Sequence, residues 1–133
     1  MYLRKKKFMF RSILIVGIGG FVGSALRFLV SRYFQLHTLS NFPWGTLTVN
    51  ILGSFIIGLV FGLSERSNLI TPEWRLFLAV GFCGGFTTFS SLANDAFILL
   101  QGREFLYLSA YTAASFFLGL LAIFAGRYII QII

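Results

Sequence analysis

The side chains best suited to chemistry in this chain lie four residues apart within apolar segments. Thr46, Asn50 and Ser54 follow this spacing in a mostly apolar stretch. In a helix they would share one face. Their amide and hydroxyl groups are neutral hydrogen-bond donors and acceptors. In an apolar environment they would either join neighbouring helices or donate to an anion, and both interpretations stay open for Asn50.

A second stripe of polar and small residues has the same spacing near the end of the chain. It comprises Tyr107, Tyr111, Ser115 and Gly119. On a helix these four residues would also share a face. We predict that their hydroxyl groups line the same path as Asn50.

The segment GFCGGFTTFSS is poor helix material for the middle of an apolar stretch. Gly84 and Gly85 precede the β-branched Thr87 and Thr88, and both residue types have low helix propensity. The pattern predicts an interrupted helix, with a flexible but continuous helix as the alternative. Interrupted backbone at membrane depth must be buried in protein or face water, and its freed carbonyl groups commonly bind a cation.

The overall composition excludes several classes of protein. Hydrophobic residues make up 57% of the 133 positions and charged residues 11%, and the mean hydropathy is +0.85. A water-soluble domain does not have this composition. Four acidic residues are too few for a conventional acid/base site, and one His37 and one Cys83 cannot form a zinc site or a disulfide within one chain. We therefore expect a membrane protein and not an enzyme.

The net charge of +7 is concentrated at one end of the chain. Five of the eleven cationic residues directly precede an apolar stretch: Arg4, Lys5, Lys6, Lys7 and Arg11. This position is typical of the cytoplasmic anchor of a membrane protein. Nucleic acid is therefore not an expected partner, whereas the lipid bilayer is.

Four apolar stretches are long enough to cross a hydrocarbon core of about 30 Å, which takes about 20 helical residues. They run from about 13–33, 44–63, 75–100 and 105–130 and use nearly the whole chain. The sequence therefore predicts a single all-α transmembrane domain, 1–133. A cleaved signal peptide is the alternative for the first stretch, but that stretch is too long for one. An even number of spans places both termini on the same side.

The charged residues also bear on orientation and on roles inside the membrane. Eight cations lie on the side of the termini and two on the opposite side, which predicts cytoplasmic termini, although the N-terminal tail supplies five of the eight. Arg27 and Asp95 fall inside the first and third spans. We expect structural roles for both: Arg27 would bind helix carbonyls or lipid phosphate, and Asp95 would pair with Arg27 or face an interfacial vestibule.

Four motifs together resemble the Fluc (CrcB) family of bacterial fluoride channels. They are, in order, GGFVGSALRF, GTLTVNILGSFIIG, GFCGGFTTFSS and the spacing of Tyr111 and Ser115. The resemblance covers residues 19–126. It implies four transmembrane helices, the third broken at midmembrane, assembled as an antiparallel dual-topology dimer in the cell (inner) membrane. The implied activity is passive, fluoride-selective export from the cytoplasm, which reduces fluoride toxicity.

The resemblance also implies roles for particular residues. A structural sodium ion, which is not transported, would be held at the dimer centre by the backbone carbonyls of Gly84 and Thr87. The residues expected along the fluoride path combine neutral donors with aromatic and apolar side chains: Thr46, Asn50, Phe89, Ser90, Leu92, Tyr111 and Ser115. Three positions depart from the family pattern. Leu92 stands where a second phenylalanine is usual, Asp95 where glutamate is usual, and Ser24 where alanine is common.

Other functions and partners stay open on the sequence alone. The main alternative is a proton-coupled small four-span exporter, which requires a carboxylate deep in a span, and Asp95 is the one candidate. A proton-coupled fluoride antiporter and a packing subunit without transport are further alternatives. The expected protein partner is a second copy of this chain, with an oppositely oriented paralogue as the alternative.

Overall fold

The computed structural model describes residues 1–67 and 69–133, and the described residues form helices joined by short connections. In chain order the helices are α1 (Tyr2–His37), α2 (Trp44–Ser67), α3 (Pro72–Arg75), a π-helical segment (Leu76–Cys83), α4 (Gly84–Phe86), α5 (Phe89–Gln101) and α6 (Phe105–Ile132). Four helical stretches are long and apolar enough to span a membrane: α1, α2, the third span Pro72–Gln101, and α6. The predicted all-α class with four spans is confirmed.

Helix α1 is longer than the span predicted for it. Its 36 residues correspond to about 54 Å at 1.5 Å per residue, well beyond the hydrocarbon thickness of about 30 Å. The apolar span was expected from about residue 13, but the helix already begins at Tyr2. Lys and Arg are good helix formers, so the charged residues before the span continue the helix instead of ending it.

Helices α2 and α6 pack closely along most of their length. Gly126 lies against α2, where an added Cβ atom would be 2.5 Å from the carbonyl oxygen of Phe55. Gly58 lies equally close to the backbone of Ile123. Small residues at both positions allow the two backbones to approach, as the glycine content predicted.

The third span packs on α1 through the same kind of contact. An added Cβ atom at Gly19 would lie 2.6 Å from the Phe77 carbonyl oxygen, and one at Gly81 would lie 2.9 Å from the Val16 carbonyl oxygen. Each helix therefore presents a glycine to the other. The π-helical turns Leu76–Cys83 were not predicted, because no residue pattern distinguishes them from an apolar α-helix.

The predicted interruption of the third helix is present at Thr87 and Thr88, which we call the helix break. Thr87 (φ −85°, ψ 156°) and Thr88 (φ −153°, ψ 123°) are both extended. Thr88 caps α5 by accepting a hydrogen bond from the Ser91 N–H to its hydroxyl, at 3.2 Å. Because the break lies near the middle of Pro72–Gln101, it falls at midmembrane.

Candidate ion pathway at the helix break

Asn50 on α2 holds the helix break through both atoms of its side-chain amide. Its Oδ1 accepts from the Thr88 N–H at 2.8 Å, and its Nδ2 donates to the Thr88 carbonyl at 3.1 Å. The interhelical role considered for Asn50 is therefore observed. A primary amide carries two N–H groups, so one remains after the bond to Thr88. That second N–H is the group available to an anion.

The helix break leaves four backbone carbonyls, those of residues 84–87, without their usual helical donors. In a continuous helix Gly84 would accept from the Thr88 N–H, which instead donates to Asn50. Thr87 would accept from the Ser91 N–H, which instead donates to the Thr88 hydroxyl. Carbonyl oxygens freed from a broken helix suit a hard cation such as Na⁺. Gly84 and Thr87, whose carbonyls are expected to hold sodium, are two of these four residues, so the donor chemistry fits that ion.

Gly84 lies on an open surface of the molecule. It is exposed, and an added Cβ atom would meet no atom within 4 Å. Phe89, the first residue of α5, is also 81% exposed, and Ser90 beside it is exposed. In the single chain, the break therefore leaves Gly84, a phenylalanine ring and a serine uncovered.

Two residues that the sequence analysis did not single out fix the position of Thr87. The Cys83 carbonyl accepts from both the Thr87 N–H at 2.8 Å and the Thr87 hydroxyl at 2.7 Å. Gly53 lies under the Thr87 methyl group, which leaves no room for a Cβ atom there. Gly53 is close to Asn50 on α2, but sequence alone does not show which residue lies above it.

The two predicted polar stripes face each other across α2 and α6. Thr46 lies beside the Tyr111 hydroxyl, and Ser54 lies next to Gly119, whose added Cβ atom would be 3.6 Å from the serine oxygen. The helices run in parallel with a constant register, so Asn50 and Ser115 lie at the same level between these two pairs. The structure therefore brings the stripes together.

The hydroxyl groups along the stripes differ in what they already bond. Ser54 donates to the Asn50 carbonyl of its own helix at 2.7 Å. The Ser115 oxygen, by contrast, is buried and makes no hydrogen bond among the residues that the structure describes. A buried hydroxyl without a partner is costly, which makes Ser115 a donor for a group that the chain itself does not supply.

Asp95 accepts a hydrogen bond from the Tyr111 hydroxyl at 3.1 Å. The predicted pairing of Asp95 with Arg27 is wrong for this chain. The ion pairs among the described residues are Arg11 with Glu73 and Arg127 with Glu65. The other expectation for Asp95, a position facing a vestibule, holds. Tyr111 itself is fully buried. It reaches the Asp95 carboxylate because α5 and α6 are adjacent.

The vestibule is a cavity of about 330 Å³ at the end of the bundle where α1 meets α2. Asp95 and Thr46 lie in its wall. Further polar lining residues come from the end of α1 and the following loop: Ser31, Gln35, Thr38, Ser40 and Asn41. Polar walls of this kind admit water, so the cavity is suited to be one mouth of an ion path that continues to Tyr111 and Ser115.

Leu92 is packed inside the chain. It contacts the cluster formed by Leu47, Leu99 and the fully buried Tyr111. The ring of Phe42 lies edge-on to Tyr111 with centroids 5.7 Å apart and belongs to the same cluster. Leu92 is therefore a packing residue of the cluster that contains Tyr111, a role in which an aliphatic side chain is sufficient.

Comparison with known proteins identifies the family. Residues 14–127 match the family described as CrcB-like protein, Camphor Resistance (CrcB). A protein named fluoride-specific ion channel FluC from Bacteroides fragilis is 48% identical over 122 residues, which cover 90% of this chain and 95% of the relative. Proteins of the same name from Leptospira interrogans (40% over 121 residues; 91% and 95% covered) and Chlorobium chlorochromatii (47% over 114 residues; 86% and 88% covered) are also similar. This chain belongs to the CrcB family.

Proposed function

We propose that this chain is a passive, fluoride-selective channel of the cell's inner membrane, which lets fluoride leave the cytoplasm. The fluoride specificity rests on the names of its relatives. The structural observation that carries the proposal is the buried Ser115 hydroxyl without a partner, level with the second N–H of Asn50. Two neutral donors at midmembrane with no fixed acceptor are suited to an anion in transit.

Neutral donors match the needs of fluoride conduction. A fluoride ion is small and strongly hydrated, so a pore must replace its water with donors but must not retain it. A fixed cation would hold the ion. The proposed path instead offers the Asn50 amide, hydroxyls and the positive edge of the Phe89 ring. The contributing hydroxyls are those of Thr46, Ser90 and Ser115, and that of Tyr111 if an ion displaces its bond to Asp95. Leu92 packs against the cluster that contains Tyr111.

The uncovered side of the helix break supports an antiparallel homodimer. Interrupted backbone is tolerated at membrane depth only where protein or water covers it, and Gly84 and Phe89 are exposed in the single chain. A second copy inserted in the opposite orientation would bring its own break, at midmembrane, against the first. An oppositely oriented paralogue with the same break would satisfy the same requirement.

A structural sodium ion at the centre of this dimer is part of the proposal. The carbonyls of Gly84 and Thr87, which lack their helical donors, would hold the ion together with the same groups of the second copy. A bound Na⁺ supplies positive charge that neutralises the facing carbonyl dipoles. The residues of this chain prepare the site, because Asn50 and the Thr88 hydroxyl take up the N–H groups that would otherwise occupy those carbonyls.

The cellular benefit follows from the acid chemistry of fluoride. Hydrogen fluoride crosses a bilayer as the neutral acid and then dissociates in a near-neutral cytoplasm, where the anion is trapped. A passive anion path under an inside-negative potential drives fluoride outward. The channel would thereby reduce fluoride toxicity without an energy source of its own.

Flux from liposomes tests the proposal against proton-coupled transport. Purified protein is reconstituted in vesicles loaded with potassium fluoride, and valinomycin sets the membrane potential. We expect fluoride release that follows the potential, ignores an imposed pH gradient and exceeds chloride release in matched vesicles. Release that follows the pH gradient would favour a proton-coupled exporter or antiporter, whose carboxylate would be Asp95. An absence of release would favour a packing subunit.

A further inference from the structure

The first turns of α1 form a cationic extension outside the range that matches the family. The segment 1–12, here called the basic segment, precedes the family match, which begins at residue 14. It continues α1 without interruption, and residues 1–11 are exposed. Its residues are not part of the proposed ion path.

One ion pair fixes the height of the basic segment relative to the membrane. Arg11 contacts Glu73 at 3.2 Å, at the start of the third span. The neighbouring Trp74 is 58% exposed and shares a shallow crevice with Ile15, and an exposed tryptophan at a span end is typical of the headgroup level. The ten residues before Arg11 then extend about 15 Å outward, through the headgroup region and into the adjoining water.

The cations of the basic segment surround the helix. Arg4, Lys5, Lys6 and Lys7 are consecutive, and successive helical residues are rotated by about 100°, so the charges point in all directions. A docking face for a partner protein would place them on one side. Below them Phe8 and Phe10 are 69% and 64% exposed, as is suitable for rings at a lipid interface.

The acids at this end of the bundle are already paired. Glu73 contacts Arg11, and Glu65 contacts Arg127 at 2.8 Å. The four consecutive cations therefore have no acidic partner within the part of the chain that the structure describes. Their counter-charge must come from outside the protein.

We propose that the basic segment binds the phosphate groups of anionic phospholipids and concentrates those lipids around this end of the protein. The segment stands within the layer where lipid phosphates lie, and its charge extends around the helix as the lipid annulus does. Each Lys or Arg near an anionic surface favours its association with that surface by about fivefold. The proposal does not depend on which ion the channel conducts.

The two tryptophans allow the test to be made on full-length protein. Trp74 lies beside the basic segment, whereas Trp44 begins α2 at the opposite end of the bundle. Trp44→Phe and Trp74→Phe each leave one reporter. The protein is reconstituted in vesicles of phosphatidylglycerol and phosphatidylcholine, and brominated forms of each lipid quench the tryptophan fluorescence. The extent of quenching gives the association constant of phosphatidylglycerol relative to phosphatidylcholine near each tryptophan. We expect phosphatidylglycerol to be favoured about fivefold or more at Trp74. Trp44 reports on the opposite leaflet, where a preference is expected only if an inverted second copy places its own basic segment there.

Charge variants and salt complete the test. The neutral variant R4Q/K5Q/K6Q/K7Q should reduce the ratio of the two lipid association constants at Trp74 toward one. The charge-conserving control R4K/K5R/K6R/K7R should retain the wild-type ratio. Should the neutral variant fail to fold, salt of about 0.5 M should abolish the preference with the cations intact, because it screens surface charges beyond a few ångströms. A ratio near one at Trp74 in the wild type, or a preference that survives neutralisation, would overturn the proposal. The proposal would also be overturned if the protein showed no lipid preference but retained RNA when reconstituted in phosphatidylcholine vesicles.

Discussion

Replacing Asn50 by alanine should weaken the helix break and the ion path together. The variant loses two hydrogen bonds, at 2.8 and 3.1 Å, and leaves the Thr88 N–H and carbonyl without these partners. Side-chain hydrogen bonds within membranes contribute about 0.6 kcal/mol on average and up to about 1.7 kcal/mol. Two bonds give an expected destabilisation of about 1–3 kcal/mol. Removal of the second amide N–H should reduce fluoride flux by roughly tenfold or more, since a hydrogen bond to a charged group contributes about 1.5–3 kcal/mol.

The comparison is sharpest with Ser54→Ala as the matched control. Ser54 lies one turn from Asn50 on the same stripe, but its hydroxyl is bonded to the Asn50 carbonyl of its own helix. Its removal should change stability by less than about 0.5 kcal/mol and leave flux near that of the wild type. Thermal unfolding in detergent and fluoride release from liposomes measure the two effects. If Asn50→Ala and Ser54→Ala behave alike in both assays, the role assigned to Asn50 is refuted.

Four further substitutions distinguish residues of the ion path from residues that support the fold or the dimer. Ser115→Ala removes a hydroxyl without a partner, so flux should fall by about tenfold while the unfolding temperature is unchanged or raised; unchanged flux would place Ser115 outside the path. Tyr111→Phe removes the donor to Asp95 and should lower the free energy of unfolding by about 1–2 kcal/mol, measured by denaturation; a neutral result would mean that water replaces this bond. An added Cβ atom at Gly84 meets open space in the single chain, so Gly84→Ala should weaken only dimerisation, which cross-linking measures. An added Cβ atom at Gly53 collides with Thr87, so Gly53→Ala should weaken the fold, which unfolding measures. A stable dimer of Gly84→Ala with a weakened fold would contradict an interface at Gly84.

The sequence predicts the spans and the helix break because both depend on local composition. Apolar length determines which segments cross the bilayer, and glycines followed by Thr87 and Thr88 are sufficient to predict the interruption. The contact between the two polar stripes can also be predicted once α2 and α6 are known to be adjacent. The spacing of four residues keeps each stripe on one face of its helix.

The missed features depend on which residue of one helix meets which residue of another. Nothing near Asn50 in the sequence indicates that its amide bonds the backbone of Thr88, and nothing near Asp95 selects Tyr111 over Arg27. The packing of Leu92 against Tyr111 has the same origin. The extra length of α1 was missed for another reason: the prediction followed hydropathy, which ends at the charged residues, whereas helix propensity continues through them.

The reversal potential of single-channel currents in a planar bilayer is the most direct test of passive fluoride conduction by this chain. With a tenfold fluoride gradient and no pH gradient, a passive fluoride path should reverse near the fluoride equilibrium potential, about 59 mV for a monovalent ion. An added pH gradient should leave that potential unchanged. A reversal potential that moves with the pH gradient, or a bilayer that carries no fluoride current, would contradict the account.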